Sequence, residues 1–152
     1  MRIAIAGLGT VGAEVARQLI HENALNATIT AVSARNASRD RGFSMDGIDF
    51  VNDPVALAMR EDVDVVVELI GGEDGPALAL VEAAIANGKP LITANKALLA
   101  RHGSQVAASA EVASVSMPAE AAVAGGIPCL KMIREGLAGN RISRISGILN
   151  GT

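Results

Sequence analysis

Residues Gly7-Leu8-Gly9-Thr10-Val11-Gly12 constrain the fold of this chain more than any other segment. They form a G-x-G-x-x-G between a short apolar run, Arg2 to Ala6, and a helical pattern that extends over Thr10 to His21. In that setting each glycine has a separate task. The first allows a tight turn, the second lets a pyrophosphate come against the backbone, and the third lets helix and strand pack closely. Free N–H groups at the helix start, together with the helix dipole, hold phosphates. The competing reading is an ordinary glycine-rich strand-to-helix turn, and the strand before and helix after the motif weigh against it.

Strand-like and helix-like segments alternate along the rest of the chain. Ala27–Ser33 is rich in β-branched residues and reads as a strand. The stretch from Arg35 to Asn52 is a polar loop carrying Arg35, Arg39 and Arg41, and Pro54 starts a short helix to Arg60. Val63–Leu69 is a central strand, ended by Gly71-Gly72, and Pro76–Asn87 is a helix stopped by Gly88. Pro90–Ala94 is a strand, and Lys96–Val112 is helical with a break near Gly103. Val115–Met117 is a short strand, Pro128–Ala138 a helix stopped by Gly139, and Arg141–Leu149 a last strand. The expectation is an α/β fold of the Rossmann type: a doubly wound, mainly parallel sheet with helices on both faces, in one domain spanning 1–152. With two Phe and neither Tyr nor Trp, the core must be Ala, Val, Ile and Leu, which suits parallel strands buried on both faces.

Composition excludes several functions. Half the residues are hydrophobic and 19% are charged, as in a folded domain. A net charge of -3 and the scarcity of aromatics argue against a nucleic-acid partner. Cys129 is the only cysteine, so an internal disulfide and a cysteine-built zinc site are out, and a small buried apolar role suits it. The apolar start is too short for a signal peptide, and no stretch approaches a membrane span. The sequon matches at Asn26, Asn36 and Asn150 then carry no meaning. The reading is a cytoplasmic protein without a membrane partner.

Ligands of such sheets lie beyond the carboxyl ends of the strands. NAD-binding versions place an acid about 20 residues after the glycines, on the ribose 2′-hydroxyl. Here no acid lies between Glu22 and Asp40, and the second strand ends Val32-Ser33-Ala34-Arg35. An arginine there pairs with a 2′-phosphate, which favours NADP over NAD and disfavours FAD. The bland alternative leaves Arg35 as a solvated charge, with Ser33 and backbone groups serving NAD. Gly71-Gly72 is small enough for a nicotinamide ribose to lie against. Thr93-Ala94-Asn95-Lys96 puts a cation at a helix start, where the dipole favours anions. Lys96 could hold the cofactor, orient a substrate or polarise its carbonyl, or could be a snorkelling surface lysine. Glu120 leads a loop, Ala121 to Pro128, whose carbonyls could coordinate a hard cation. A tight turn with Glu120 capping amides is favoured over that on the residues alone.

Taken together these pieces resemble homoserine dehydrogenase. Its hallmarks stand here as GLGTVG at 7–12, VVVELIGG at 65–72, TANKALLA at 93–100, EAAVAGGIP at 120–128 and GILNGT at 147–152. The resemblance implies NAD(P)-dependent interconversion of L-homoserine and L-aspartate 4-semialdehyde, on the way to threonine, methionine and isoleucine. It puts Gly7, Gly9, Thr10, Val11 and Gly12 on the pyrophosphate, Arg35 at the adenosine end, and Gly71, Thr93 and Lys96 toward the nicotinamide, with Lys96 also catalytic. It further implies a monovalent-cation site, for sodium, of Glu120 with the carbonyls of Val123, Gly125 and Ile127. Two features depart from the pattern. An aromatic usually precedes the glutamate, where this chain has Met117-Pro118-Ala119, and the chain ends at Thr152 inside GILNGT. The substrate and dimerisation domain of a homodimer is then missing. The expectation is a truncated cofactor domain that binds NADP(H) but turns over its amino-acid substrate, homoserine, negligibly. A stand-alone nucleotide-binding or sensing module, or the cofactor domain of another dehydrogenase such as aspartate dehydrogenase, are the alternatives.

Overall fold

The computed structural model describes residues 1–22, 26–125 and 127–147. Strand β1 (Arg2–Ala6) leads through the glycine turn into α1 (Thr10–Glu22), and β2 (Thr28–Ser33) follows. A two-residue β3 (Asp49–Phe50) and a single-turn α2 (Val55–Ala58) precede β4 (Val65–Glu68). Then come α3 (Pro76–Ala86), β5 (Leu91–Thr93) and α4 (Lys96–Val112). The five strands form one sheet in the order β3-β2-β1-β4-β5, and every pairing is parallel. The order reverses between β1 and β4, so their carboxyl ends open a crevice. The expected Rossmann-type architecture is therefore present.

The period of two along the strands divides the core. Ile3, Ile5, Val32 and Val67 point to the face covered by α1, around buried Ala16 and Leu8. Ala4, Ala6, Val66 and Leu91 point to the other face, against Leu57, Leu80, Val81, Leu98 and Val106 from the helices that follow. Both faces of β1 and β4 are sealed, which is why these strands read as unbroken apolar runs. At the edge strand β5 the outer face is open, and Ile92 stays 40% exposed.

Ion pairs tie the amino ends of the strands, away from the crevice. Arg2 grips Asp64 through Nη2 at 2.7 Å and Nε at 3.1 Å, and its own N–H donates to the same carboxylate at 2.7 Å. That hydrogen bonding pulls the Asp64 carboxyl down to about 2 and raises the Arg2 guanidinium. Arg60 spans Asp62 and Asp49, so its charge is held more firmly and the Asp62 carboxyl is lowered. This contact pins the short β3. Lys89 donates to the carbonyls of Arg60 and Val63, both at 2.6 Å, and closes the same end of the sheet.

Several expectations need correction. The loop from Arg35 to Asn52 contains β3, which a two-residue pairing with Ala31 and Val32 is too short to announce. Helix α4 runs through Gly103 without a break, because Leu98, Val106 and Ala110 anchor it on both sides. Residues 115–117 lie beside β5 but form no strand. The N–H groups of Leu91 and Thr93 donate to the carbonyls of Ser116 and Pro118 at 3.0 and 3.4 Å. The return bond to Leu91 in a parallel ladder would come from residue 118, and proline has no N–H. The helix expected over Pro128–Ala138 is α5 (Cys129–Lys131), widening into a π-turn over Met132–Gly136. Within Arg141–Leu149, residues 141–147 form no strand, because no neighbouring strand edge takes up their backbone groups. The remainder of that segment, and all of GILNGT after Gly147, lies outside the described residues. Among the described residues no helix is long and apolar enough to cross a membrane.

Candidate nucleotide-binding site

The three glycines of the first turn differ in what surrounds them. Gly7 sits at φ +96°, and its N–H donates to the Ser33 carbonyl at 2.8 Å. A Cβ there would lie 2.4 Å from the Leu69 carbonyl oxygen, so only glycine lets β1 turn this close to β4. A Cβ on Gly12 would lie 1.8 Å from the Gly7 carbonyl oxygen, so helix α1 rests directly on the turn. A Cβ on Gly9 would meet nothing within 4 Å. The space that Gly9 leaves clear faces a cavity of about 630 Å³, lined by Gly7, Leu8 and Gly9. Thr10 and Val11 are exposed at the first turn of α1, where N–H groups have no intrahelical acceptor.

The far wall of the cavity is basic. Ser33, Ala34, Arg35 and Asn36 line it from the end of β2, together with Arg39 and Arg41 from the loop beyond. Arg41 is a brace: it donates to the carbonyl of Arg39 at 2.8 Å and to that of Asn36, holding the loop in a turn. Its Nε is buried without a hydrogen-bond partner among the described residues. Among the described residues Arg35 and Arg39 take part in no ion pair, so both charges are available to a ligand. Asp40, the nearest acid in sequence, accepts the Gly42 N–H at 2.9 Å. Leu69, Ile70 and Pro76 line the cavity from the side of β4, and Asn52 and Pro54 also contribute to its wall.

Of the expected site residues, Gly7, Gly9 and Arg35 line this cavity, with Thr10, Val11 and Gly12 in the helix start beside it. Gly71, Thr93 and Lys96 stand at the carboxyl ends of β4 and β5, along the same edge of the sheet but outside the cavity wall. Lys96 is the exposed first residue of α4. Thr93 is fully buried: its hydroxyl donates to Glu68 at 2.6 Å and accepts the Asn95 N–H at 3.0 Å. Glu68 and Asn95 were not legible as site residues. The available signal was a carboxylate within the otherwise apolar VVVEL and an asparagine directly before a helix.

Residues 119–125 form a tight turn. The Val123 N–H donates to the Ala119 carbonyl at 3.1 Å, and Ala124 adopts φ +62°. The half-buried Glu120 accepts the Ala119 N–H at 3.1 Å. The Ile127 carbonyl accepts the Cys129 N–H at 2.7 Å, and the Cys129 thiol lies 3.8 Å from the Val123 carbonyl. Among the described residues no three His, Cys, Asp or Glu side chains gather as metal ligands, so any cation here would rely on backbone oxygens.

Residues 7–120 match the family described as "Homoserine dehydrogenase, NAD binding domain". The homoserine dehydrogenase of Neisseria gonorrhoeae is 45% identical over 159 residues, covering 100% of this chain and 36% of that protein. The homoserine dehydrogenase of Corynebacterium glutamicum is 41% identical, covering 99% of this chain and 35% of that protein. Among solved structures, a homoserine dehydrogenase from Thiobacillus denitrificans superposes with a TM-score of 0.76 at 39% identity, over 93% of this chain and 34% of that one. The chain thus spans about a third of the length of the curated relatives it matches. The glycine turn and the all-parallel sheet lie within the matched residues: the chain belongs to the homoserine dehydrogenase family, as its NAD-binding domain.

Proposed function

We propose that this chain binds NADP(H) in preference to NAD(H), as the nucleotide-binding part of an enzyme that interconverts L-homoserine and L-aspartate 4-semialdehyde. The observation that carries the reading is the contrast between the glycines. Two of them are sterically forced by the backbone, while Gly9 alone keeps open ground beside a cavity walled by Arg35 and Arg39. Pyrophosphate rests on Gly9 and the N–H groups of Thr10 and Val11, with Gly7 and Gly12 shaping the turn. Arg35 meets the 2′-phosphate at the adenosine end, where a planar guanidinium pairs well with phosphate oxygens. Gly71 runs along the nicotinamide ribose, and Thr93 supports that end from below.

A nicotinamide nucleotide held here would supply or accept the hydride. Lys96 orients the substrate and stabilises the negative charge that develops on its oxygen, aided by the positive end of α4. Glu120 and the carbonyls of Val123, Gly125 and Ile127 hold a monovalent cation, sodium. Hard oxygens with one carboxylate among neutral carbonyls balance a single charge. Residues 1–152 act as one domain, and the substrate-facing wall and the contacts of a homodimer come from outside them. The reaction so assigned belongs to cytoplasmic synthesis of threonine, methionine and isoleucine. The test is an assay of the purified 152-residue chain with homoserine and NADP, beside an NADPH titration. Saturable NADPH binding with negligible turnover is expected. Robust homoserine oxidation by this chain would overturn the division of labour.

A further inference from the structure

Glu68 is fully buried in the central strand β4, and no cation touches it among the described residues. Its oxygens are taken by three donors instead. One accepts the N–H groups of Ile70 at 2.8 Å and Gly71 at 3.3 Å; the other accepts the Thr93 hydroxyl at 2.6 Å. Thr93 in turn accepts the Asn95 N–H. The Asn95 side chain caps α4 at the Leu98 N–H, 3.1 Å away, and donates to the Gly72 carbonyl at 2.6 Å. The bonds close a ring from Glu68 through residues 70–72 to Asn95 and back through Thr93.

This ring joins the two walls at the nicotinamide end of the crevice. Gly71 and Gly72 both adopt positive φ, +82° and +86°, and a glycine pair has little stiffness of its own. The conformation of the loop is therefore imposed by its partners. Lys96 follows Asn95 directly, so the same ring sets the direction from which it leaves the sheet. A buried acid contributes little to stability compared with a well-packed apolar side chain. Spending both oxygens on two loop ends suits precision of placement better than core cohesion. It also fixes the chemistry of the loop. With the Ile70 and Gly71 N–H groups engaged inward and the Gly72 carbonyl taken by Asn95, Ile70 and Gly71 have carbonyl oxygens left to offer a ligand, which suit hydroxyl and amide donors and not phosphate.

We propose that Glu68 is a positioning residue that holds the 70–72 loop and Lys96 in register for the nicotinamide ribose and carboxamide. The inference rests on the cofactor reading above. The test compares NADPH with 2′-phospho-ADP, which lacks both the nicotinamide and its ribose, on the full 152-residue chain. Glu68→Ala and Thr93→Val are expected to weaken NADPH about tenfold, the size of a lost charge-assisted hydrogen bond. Both should leave 2′-phospho-ADP within about twofold, and Thr93→Ser, which keeps the hydroxyl, should restore NADPH binding. A merely structural role would lower the melting temperature without changing the ratio of the two affinities. Equal weakening of both ligands, or no change in either, by the variant that folds would overturn the proposal while leaving the cofactor reading intact. Failure of the unsubstituted chain to bind either ligand would overturn both.

Discussion

Alanine at position 12 and alanine at position 9 should fail in opposite ways. At Gly12 an added Cβ falls 1.8 Å from the Gly7 carbonyl oxygen, and contacts under 3.0 Å are not found for real Cβ atoms. The obstacle is backbone, so α1 must retreat from the turn by roughly 1 Å, and overpacking of this kind costs about 3 kcal/mol. Alanine's better helix propensity returns up to about 1 kcal/mol, leaving a net loss near 2 kcal/mol. For a domain of this size that lowers the melting temperature by about 4–8 °C. At Gly9 nothing lies within 4 Å and φ is not positive, so Gly9→Ala should stay within about 0.5 kcal/mol of the parent. Its methyl group instead fills the ground assigned to the pyrophosphate, and NADPH affinity should fall at least about tenfold. Thermal unfolding by circular dichroism gives the first quantity. Nicotinamide emission gives the second, with no Trp or Tyr in the chain to interfere. Destabilisation by Gly9→Ala equal to that by Gly12→Ala, or full NADPH affinity in Gly9→Ala, would refute the assignment of separate tasks.

Arg35→Ala should weaken NADPH by about tenfold or more and NADH by less than about twofold, measured by parallel titrations; equal loss removes the 2′-phosphate contact. The Asp64 carboxyl, lowered to about 2 from 3.8, adds stability that is complete above the unfolded value and is lost as pH falls through the folded one. Urea midpoints should therefore drop between about pH 4 and pH 2 in the parent and less so in Asp64→Asn; parallel curves would contradict this. If the 120–127 loop holds sodium, sodium chloride should raise the melting temperature above that in choline chloride at equal ionic strength. Glu120→Gln should abolish the difference, and an unchanged difference would place the ion elsewhere.

Much of the fold was legible because the buried strands are uniform. Val65, Val66 and Val67 form an unbroken β-branched run that belongs between two helical layers. The misses share a cause in what neighbouring backbone can accept. Asp49–Phe50 becomes a strand only because β2 offers it an edge, and Met117 fails to become one because Pro118 cannot return a hydrogen bond. Gly103 weakens a helix locally, but the packing of Leu98 and Val106 outweighs the propensity cost of about 1 kcal/mol. At the site, the glycine turn and the place of Arg35 in the cavity wall were readable because both are set by the local chain around β1 and β2. Glu68 and Asn95 were not, since the bonds that join them across the crevice, Thr93 to Glu68 and Asn95 to Gly72, emerge only when β4 and β5 pair.

The most direct measurement is a titration of the 152-residue chain with NADPH and NADH, followed by emission of the reduced nicotinamide. The expected result is saturable binding at one site, with NADPH clearly the tighter ligand. Absence of binding by either nucleotide would contradict a formed nucleotide crevice in this chain, and NADH binding as tightly as NADPH would contradict the role given to Arg35.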